Sequence, residues 1–154
     1  MFKKALALGV FVITILALIV GYYSPMSKAN QYSNNSPSDV ISEGQILVYE
    51  NKVILNKEGI YWVRYADTDS MKPVLDENAN GLEIVPKSED EIKVGDIVSY
   101  QAVWQDKLVV HRVVDKGKDA FGTYFILKGD NNDEVDPGKV RFSQIKFKTI
   151  AIIY

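Results

Sequence analysis

The sequence predicts a mainly β protein: a coiled antiparallel β-sheet or half-barrel domain, with one N-terminal transmembrane helix. After residue 44, short runs of β-branched and aromatic residues alternate with turn residues, which is typical of antiparallel strands. No hydrophobic periodicity of 3.6 residues lasts beyond a turn or two in that part of the chain. The third observation is an uncharged apolar segment near the N-terminus. Together these features favour an antiparallel β-fold over an α/β architecture.

The apolar segment is long enough to cross a bilayer. It has the sequence ALALGVFVITILALIVGYY between Ala5 and Tyr23, and as a helix it approaches the roughly 30 Å thickness of a hydrocarbon core. A cleavable secretory signal is the alternative, since the MFKK start is basic. The apolar part of such a signal is only about 7 to 15 residues long and ends at a small-residue cleavage site. We therefore expect residues 1–23 to be a cytoplasmic stub followed by a transmembrane helix.

Basic residues orient the predicted helix. Lys3 and Lys4 precede it, whereas Lys28 is the only basic residue in the stretch that follows, so the positive-inside rule places the N-terminus in the cytoplasm. Residues 24–43 are rich in Ser, Asn and Pro and are predicted to be a polar linker. Residues 44–154 are then the extracytoplasmic domain of a single-pass protein in the cell membrane, with the lipid bilayer as one partner.

Eight runs in this domain are predicted to be strands, because each is rich in β-formers and is bounded by turn residues. The turn residues include Gly95, Lys116 to Lys118, Gly129 and Pro137-Gly138. In chain order, the runs are QILVYE, VIL, IYWVRYA, LEIVP, DIVSYQAVW, KLVVHRVVD, TYFILKG and FKTIAIIY.

Composition excludes several classes of function. The chain is 47% apolar and 25% charged, which is ordinary for a domain with a buried core. Its net charge is −2 and no basic run follows Lys4, so nucleic acid is not expected as a partner. Without cysteine there is no disulfide or thiolate nucleophile, and a single histidine cannot build a histidine-based metal cluster.

Three polar islands lie among the predicted strands and turns. They are Thr68 to Pro73, Val109 to Val114, and Lys128 to Asn132 with Asp136 to Gly138 behind it. Each has an ordinary structural interpretation, because serine caps helical turns, histidine packs in strands and Asp-Asn sequences form turns. Together they supply a hydroxyl, one imidazole and two carboxylates. These are the parts of a catalytic triad, in which an imidazole removes the hydroxyl proton and a carboxylate orients the imidazole.

The order and wording of these islands resemble the sequence boxes of type I signal peptidases. That family has a serine followed by Met, any residue and Pro, as in Ser70 to Pro73. It also has a box similar to Val94 to Val98, and a Gly-Asp-Asn-Asn box that is matched by Gly129 to Asn132. Where the bacterial and organellar branch has a lysine base, the archaeal and endoplasmic-reticulum branch has histidine followed by arginine, as in His111-Arg112.

The resemblance implies a membrane-bound serine endopeptidase that removes N-terminal signal peptides from secreted preproteins. Ser70 would attack the scissile carbonyl, and His111 would act as general base and then as general acid to the leaving amine. Asp136 is favoured as the residue that orients His111, with Asp130 supporting the site, although the sequence does not rank the two securely. The hydroxyl of Thr68, two residues before the nucleophile, is implied as an oxyanion donor.

The same resemblance implies how substrates bind. Small side chains at the positions one and three before the cut would occupy shallow apolar pockets, for which Met71, Leu75 and Ile84 are candidates. The partners would be signal peptides of preproteins at the membrane surface. No metal or cofactor is expected, and the sequence identifies no partner within a membrane complex.

Three residues near the predicted catalytic groups need separate interpretation. The family typically has glycine where this chain has Asp69, so either the backbone there does not require a positive φ or Asp69 adopts it with a side-chain hydrogen bond. Lys72 is the candidate for a Ser-Lys dyad, but it occupies the variable slot of the box and is expected to be solvated. Arg112 is expected either to pair with a carboxylate of the third island or to be exposed.

Two alternative functions are weighed against this one. The first is a catalytically inactive or specialised relative, a membrane factor for surface-protein or fibre assembly, which predicts loss of Ser70 or His111. The second is a self-cleaving, repressor-like hydrolase of the same clan, which lacks a membrane anchor and uses lysine. Residues 43–65 match none of the boxes, so their role stays open.

Overall fold

The computed structural model describes residues 35–154, which form antiparallel β-structure without an α-helix. Short 3₁₀ turns occupy Glu43–Gln45, Glu89–Glu91 and Phe142–Gln144. The strands are β1 (Ile46–Val48), β2 (Val53–Leu55), β3 (Ile60–Arg64), β4 (Asn80–Ile84), β5 (Ile97–Gln101), β6 (Leu108–Asp119), β7 (Gly122–Lys128) and β8 (Ile145–Ile153).

These strands form two sheets. One is the β1–β2 hairpin, and the other has six strands in the order β3-β4-β8-β5-β6-β7. All neighbouring strands in both sheets are antiparallel. The prediction of a mainly β domain with antiparallel strands is confirmed, and each predicted run overlaps one observed strand.

One predicted turn is wrong. Lys116 to Lys118 lies inside β6, and the hairpin turns instead between Asp119 and Gly122. Tertiary contacts override the local turn composition here. Gly117 lets the Tyr124 ring pack over the strand, since a Cβ at Gly117 would lie 2.5 Å from the Tyr124 hydroxyl oxygen. Lys116 donates through Nζ to two backbone carbonyls, which holds its side chain against the domain.

The six-stranded sheet has a core on each face, because successive side chains of a strand point to opposite sides. Consecutive residues Ile97 and Val98 belong to different cores. The smaller core lies beneath the segment that follows β3 and consists of Met71, Leu75, Ala79 and Ile97. The larger core consists of Ile92, Val98, Tyr100, Ala102, Val109, Val113, Phe125, Leu127, Val140 and Ile145.

A buried ion pair connects β8 to the turn before β5. Lys148 Nζ lies 2.7 Å from Asp96 Oδ2, and the two side chains are 3% and 0% exposed. Asp96 also accepts hydrogen bonds from the backbone N–H of Lys93 and from both the N–H and hydroxyl of Ser38. Ser38 belongs to the predicted linker, so the described end of that linker contacts the domain.

The predicted transmembrane helix lies outside the described residues. Among residues 35–154, no helix has the length and apolar character needed to span a membrane. The first part of the predicted linker, residues 24–34, also lies outside the described region.

The Asp96–Lys148 pair yields a stability prediction. Lys148→Met leaves a buried carboxylate without its cation, so the free energy of unfolding should fall by about 3–5 kcal/mol. Denaturant unfolding of the full-length protein in detergent micelles, followed by tryptophan fluorescence, measures this. Lys146→Met is the matched control, because Lys146 is exposed on the same strand. Equal losses in the two variants would contradict the prediction.

Candidate active site

Ser70 lies in a tight turn that follows β3. The N–H of Lys72 donates to the Asp69 carbonyl at 3.1 Å, and the N–H of Val74 donates to the Met71 carbonyl at 2.9 Å. Asp69 has a φ of 59°, so the backbone before the nucleophile does adopt the left-handed conformation that glycine would favour. Its side chain forms an ion pair with Lys72 at 2.5 Å, and the two side chains are 64% and 45% exposed.

The segment Gly129 to Asn132 holds this turn in place. The Asn131 N–H donates to the Ser70 carbonyl at 2.9 Å, and the Asn131 side chain donates to the Asp69 carbonyl at 3.1 Å. Gly129 is required for the close approach, because a Cβ there would lie 2.5 Å from the Ser70 carbonyl oxygen. Gly129 and Asn131, the first of the two asparagines in this island, therefore position the backbone of the candidate nucleophile.

His111 lies on β6 between Ser70 and Asp136. Its Nε2 is 3.1 Å from Ser70 Oγ, and its Nδ1 is 2.6 Å from Asp136 Oδ2. The His111 and Asp136 side chains are only 6% and 5% exposed. The structure thus brings three of the predicted site residues into one hydrogen-bonded row.

Tyr100 is a fourth member of this row that the sequence interpretation missed. Its hydroxyl donates to Asp136 Oδ2 at 2.8 Å. Burial and the adjacent Asp136 carboxylate raise the pKa of Tyr100 far above its ordinary value, so the hydroxyl stays a donor. Strand alternation is the sequence signal that could have found it, since Tyr100 and Val98 share a face of β5 and Val98 pairs with His111.

These contacts determine which nitrogen of the neutral His111 ring carries the proton. With Asp136 Oδ2 accepting from both neighbours, His111 donates through Nδ1–H. The Nε2 lone pair then faces Ser70 Oγ and is in position to accept its proton. Thr68 Oγ1 lies 3.2 Å from Ser70 Oγ, which puts a second hydroxyl beside the reacting atom.

Asp130 contacts Arg112 rather than His111. Arg112 donates through Nε and Nη2 to the two carboxylate oxygens at 2.7 and 2.6 Å, and through Nη1 to the Gly95 carbonyl at 2.7 Å. The Arg112 and Asp130 side chains are 8% and 6% exposed. Asp130 therefore ties the third island to β6 and to the turn before β5, while Asp136 contacts the imidazole.

A cavity of about 460 Å³ opens beside these groups. Met71 and Leu75 line it together with Ser70 and His111, whereas Ile84 does not. The residues that line it with them are Val63, Arg64, Tyr65, Ala66, Thr68, Asp69, Glu83, Ser99, Trp104, Gln105, Leu108, Val109, Val110, Asn132 and Phe147.

Ile84 lines a different cavity, which is also lined by Lys148. Successive side chains of β4 point to opposite faces of the sheet, so the neighbouring Glu83 faces the cavity beside Ser70 instead. The sequence-based choice of Ile84 rested on its apolar character, which does not reveal the face on which a residue lies.

Glu83 is a buried acidic residue that lines the cavity beside Ser70 and that the sequence interpretation also missed. It is 1% exposed, and its Oε1 accepts hydrogen bonds from Ser99 Oγ at 2.8 Å and Thr149 Oγ1 at 3.3 Å. Burial raises the pKa of Glu83 above its ordinary value, and the two hydroxyl donors oppose that rise. The direction of the shift means that ionisation of Glu83 is less favourable in the folded protein than in the unfolded chain.

Comparisons with known proteins do not assign a family. No protein-family model matches the chain, and no solved structure matches it. A segment of 46 residues is 50% identical to part of an uncharacterized protein from Methanocaldococcus jannaschii. The match covers 30% of this chain and 23% of that protein, so the chain spans less than a quarter of the relative's length.

The Arg112–Asp130 pair predicts a loss of stability. Asp130→Ala leaves a buried guanidinium without its carboxylate and should lower the free energy of unfolding by about 3–5 kcal/mol. Replacing both partners, as in Arg112→Met with Asp130→Leu, should recover most of that loss because no buried charge remains. Denaturant unfolding measures both variants. A double variant no more stable than Asp130→Ala would contradict this account.

Glu83 predicts a pH-dependent difference in stability. Its folded pKa lies above the ordinary 4.5, so the folded state loses stability relative to the unfolded chain as pH rises from that value through the folded pKa. Glu83→Gln keeps an oxygen acceptor but does not ionise. The variant should therefore gain stability over the parent as pH rises, and the gain should shrink toward acidic pH. Unfolding curves across this range measure it, and a gain that grows on acidification would contradict the prediction.

Proposed function

We propose that this chain is a membrane-anchored serine endopeptidase of the type I signal peptidase kind, which removes N-terminal signal peptides from secreted preproteins. The observation that carries the proposal is the row of contacts from Ser70 Oγ through the His111 ring to Asp136 Oδ2, at 3.1 and 2.6 Å. A hydroxyl, an imidazole and a buried carboxylate in this order are the working parts of a serine peptidase.

The proposed reaction is acyl transfer through Ser70. Ser70 Oγ attacks the scissile carbonyl as His111 Nε2 takes its proton, and Asp136 stabilises the imidazolium that forms. The backbone N–H of Ser70 and the Thr68 hydroxyl stabilise the oxyanion. His111 then gives the proton to the leaving amine, and water attacks the acyl-enzyme with His111 again as base.

The environment of Lys72 supports histidine, rather than lysine, as the base. Lys72 is exposed and pairs with Asp69, and this carboxylate raises the pKa of the ammonium group. A lysine that holds its proton this firmly is a poor acceptor for the serine proton. His111 Nε2, in contrast, lies 3.1 Å from Ser70 Oγ, and the carboxylate partner of His111 is at the other ring nitrogen.

The proposal includes the anchor and the finer fold. Residues 1–23 provide a cytoplasmic stub and a membrane helix, and residues 44–154 form an extracytoplasmic half-barrel. Register shifts in the β4–β8, β5–β8 and β6–β7 pairs favour a coiled rather than a flat sheet. Tethering the peptidase at the membrane raises its effective concentration near signal peptides, whose cleavage sites lie at the bilayer surface.

The proposed function predicts the effect of three substitutions on cleavage. Ser70→Ala and His111→Ala should each abolish cleavage of a preprotein with a small-x-small site, because each removes a reacting group. Asp136→Asn should lower kcat by about 10³- to 10⁴-fold, because the amide no longer supports the required imidazole tautomer. Gel analysis of product formation by the full-length variants in detergent micelles measures all three.

Ser143→Ala is the control for this experiment, since Ser143 is exposed and does not line the cavity. It should cleave as the parent does. Product formation by Ser70→Ala would sink the mechanism. If neither the folded parent nor Ser70→Ala makes product, the assembly-factor alternative becomes the better explanation.

A further inference from the structure

We infer that Glu83 gives the cavity beside Ser70 a preference for substrates with a basic side chain near the scissile bond. This inference deepens the proposed function and rests on it for the identity of the reaction. The recognition itself depends only on the cavity and is open to a binding experiment that requires no cleavage.

The first step concerns the two oxygens of the Glu83 carboxyl group. Oε1 accepts from Ser99 and Thr149, while Oε2 has no hydrogen-bond partner among residues 35–154. In this part of the chain, every side-chain nitrogen or oxygen that is sealed from solvent has a partner. Oε2 therefore keeps a small solvent contact although Glu83 is only 1% exposed. Since Glu83 lines the cavity, Oε2 is the carboxyl oxygen left for a group that enters it.

The second step concerns charge. Within the described region, no Lys, Arg or His side chain forms an ion pair with Glu83. The other deeply buried carboxylates, Asp96, Asp130 and Asp136, each have a cationic or imidazole partner. Burying a carboxylate without a counter-charge is unfavourable, which also accounts for the raised pKa of Glu83. A cation supplied by the substrate would remove this penalty.

The third step explains why a cation fits better than a neutral donor. Two hydroxyl groups already donate to the carboxyl group, so neutral hydrogen bonding is supplied by the protein. What Glu83 lacks is a cationic partner, because Arg64, which also lines the cavity, forms no ion pair with it among the described residues. A charge-assisted bond to a substrate ammonium group is also about twice as strong as a neutral one.

The fourth step concerns the walls of the cavity. Apolar side chains line it together with Ser70 and Glu83, among them Val63, Leu75, Val110 and Phe147. A lysine side chain has a flexible apolar stem that packs against such walls while its charged end reaches a polar group. An acidic residue in the substrate pocket is how trypsin selects basic residues.

The test compares peptide binding to the full-length Ser70→Ala protein in detergent micelles. Labelled peptides carry a small-x-small site, with one lysine moved through the positions on either side of the scissile bond. Norleucine at the same position is the neutral comparison, since it keeps the stem and lacks the ammonium group. At one position, lysine should bind about 10- to 100-fold more tightly than norleucine, the range expected for a hydrogen bond to a charged group.

Adding Glu83→Gln should bring the lysine-to-norleucine ratio at that position close to one. Glu77→Gln is the matched control, because it removes the same charge from an exposed residue outside the cavity, and it should leave the ratio high. Equal binding of lysine and norleucine at every position would overturn the inference. So would an equal loss of the ratio in both glutamate variants, which would indicate a general effect of net charge.

Failure of the inference is distinguishable from failure of the proposed function. Ser70-dependent cleavage without a lysine preference in binding would overturn the inference alone. A lysine preference that depends on Glu83, without Ser70-dependent cleavage, would support the inference as a binding property and overturn the proposed reaction. Unfolding curves of Glu83→Gln check that a lost ratio does not reflect a lost fold.

Discussion

The contact between the turn at Ser70 and the segment that begins at Gly129 is the constraint on which the candidate site depends. The two segments are far apart in the chain, yet Asn131 donates hydrogen bonds to the Ser70 and Asp69 carbonyls. The backbones approach so closely that there is no room for a side chain at Gly129. This contact sets the position of the nucleophile. Because Asp136 follows in the same connection, the contact also delivers a carboxylate to His111.

Two adjacent residues on β6, His111 and Arg112, each bind one of the two carboxylates that follow β7. His111 and Arg112 point to opposite faces of the sheet, as successive strand residues do. Asp136 meets His111 on one face, and Asp130 meets Arg112 on the other. The connection after β7 thus contacts both faces of β6. Asp136 completes the hydrogen-bonded row that ends at Ser70, and Asp130 neutralises the buried guanidinium of Arg112. The alternation of side chains in a strand therefore explains why the His-Arg dipeptide is matched by two separated aspartates.

Local sequence determined a large part of the fold. Runs of β-formers bounded by turn residues correspond to the strands, because side-chain shape and backbone preference act over a few residues. The exception at Lys116 to Lys118 shows the limit, since packing of Tyr124 over Gly117 extends β6 through a turn-like sequence. The buried Asp96–Lys148 pair likewise could not be predicted from local sequence, because it joins residues whose proximity depends on the strand order.

For the candidate site, the sequence by itself supplied the hydroxyl, the imidazole and two candidate carboxylates, since these are properties of residue type and order. Only the tertiary structure decided that Asp136 contacts His111 while Asp130 contacts Arg112, and that Glu83 rather than Ile84 faces the cavity. These outcomes depend on register and on which face each residue occupies. A shift of one residue reverses the face, and the sequence of a single strand does not reveal its neighbours in the sheet.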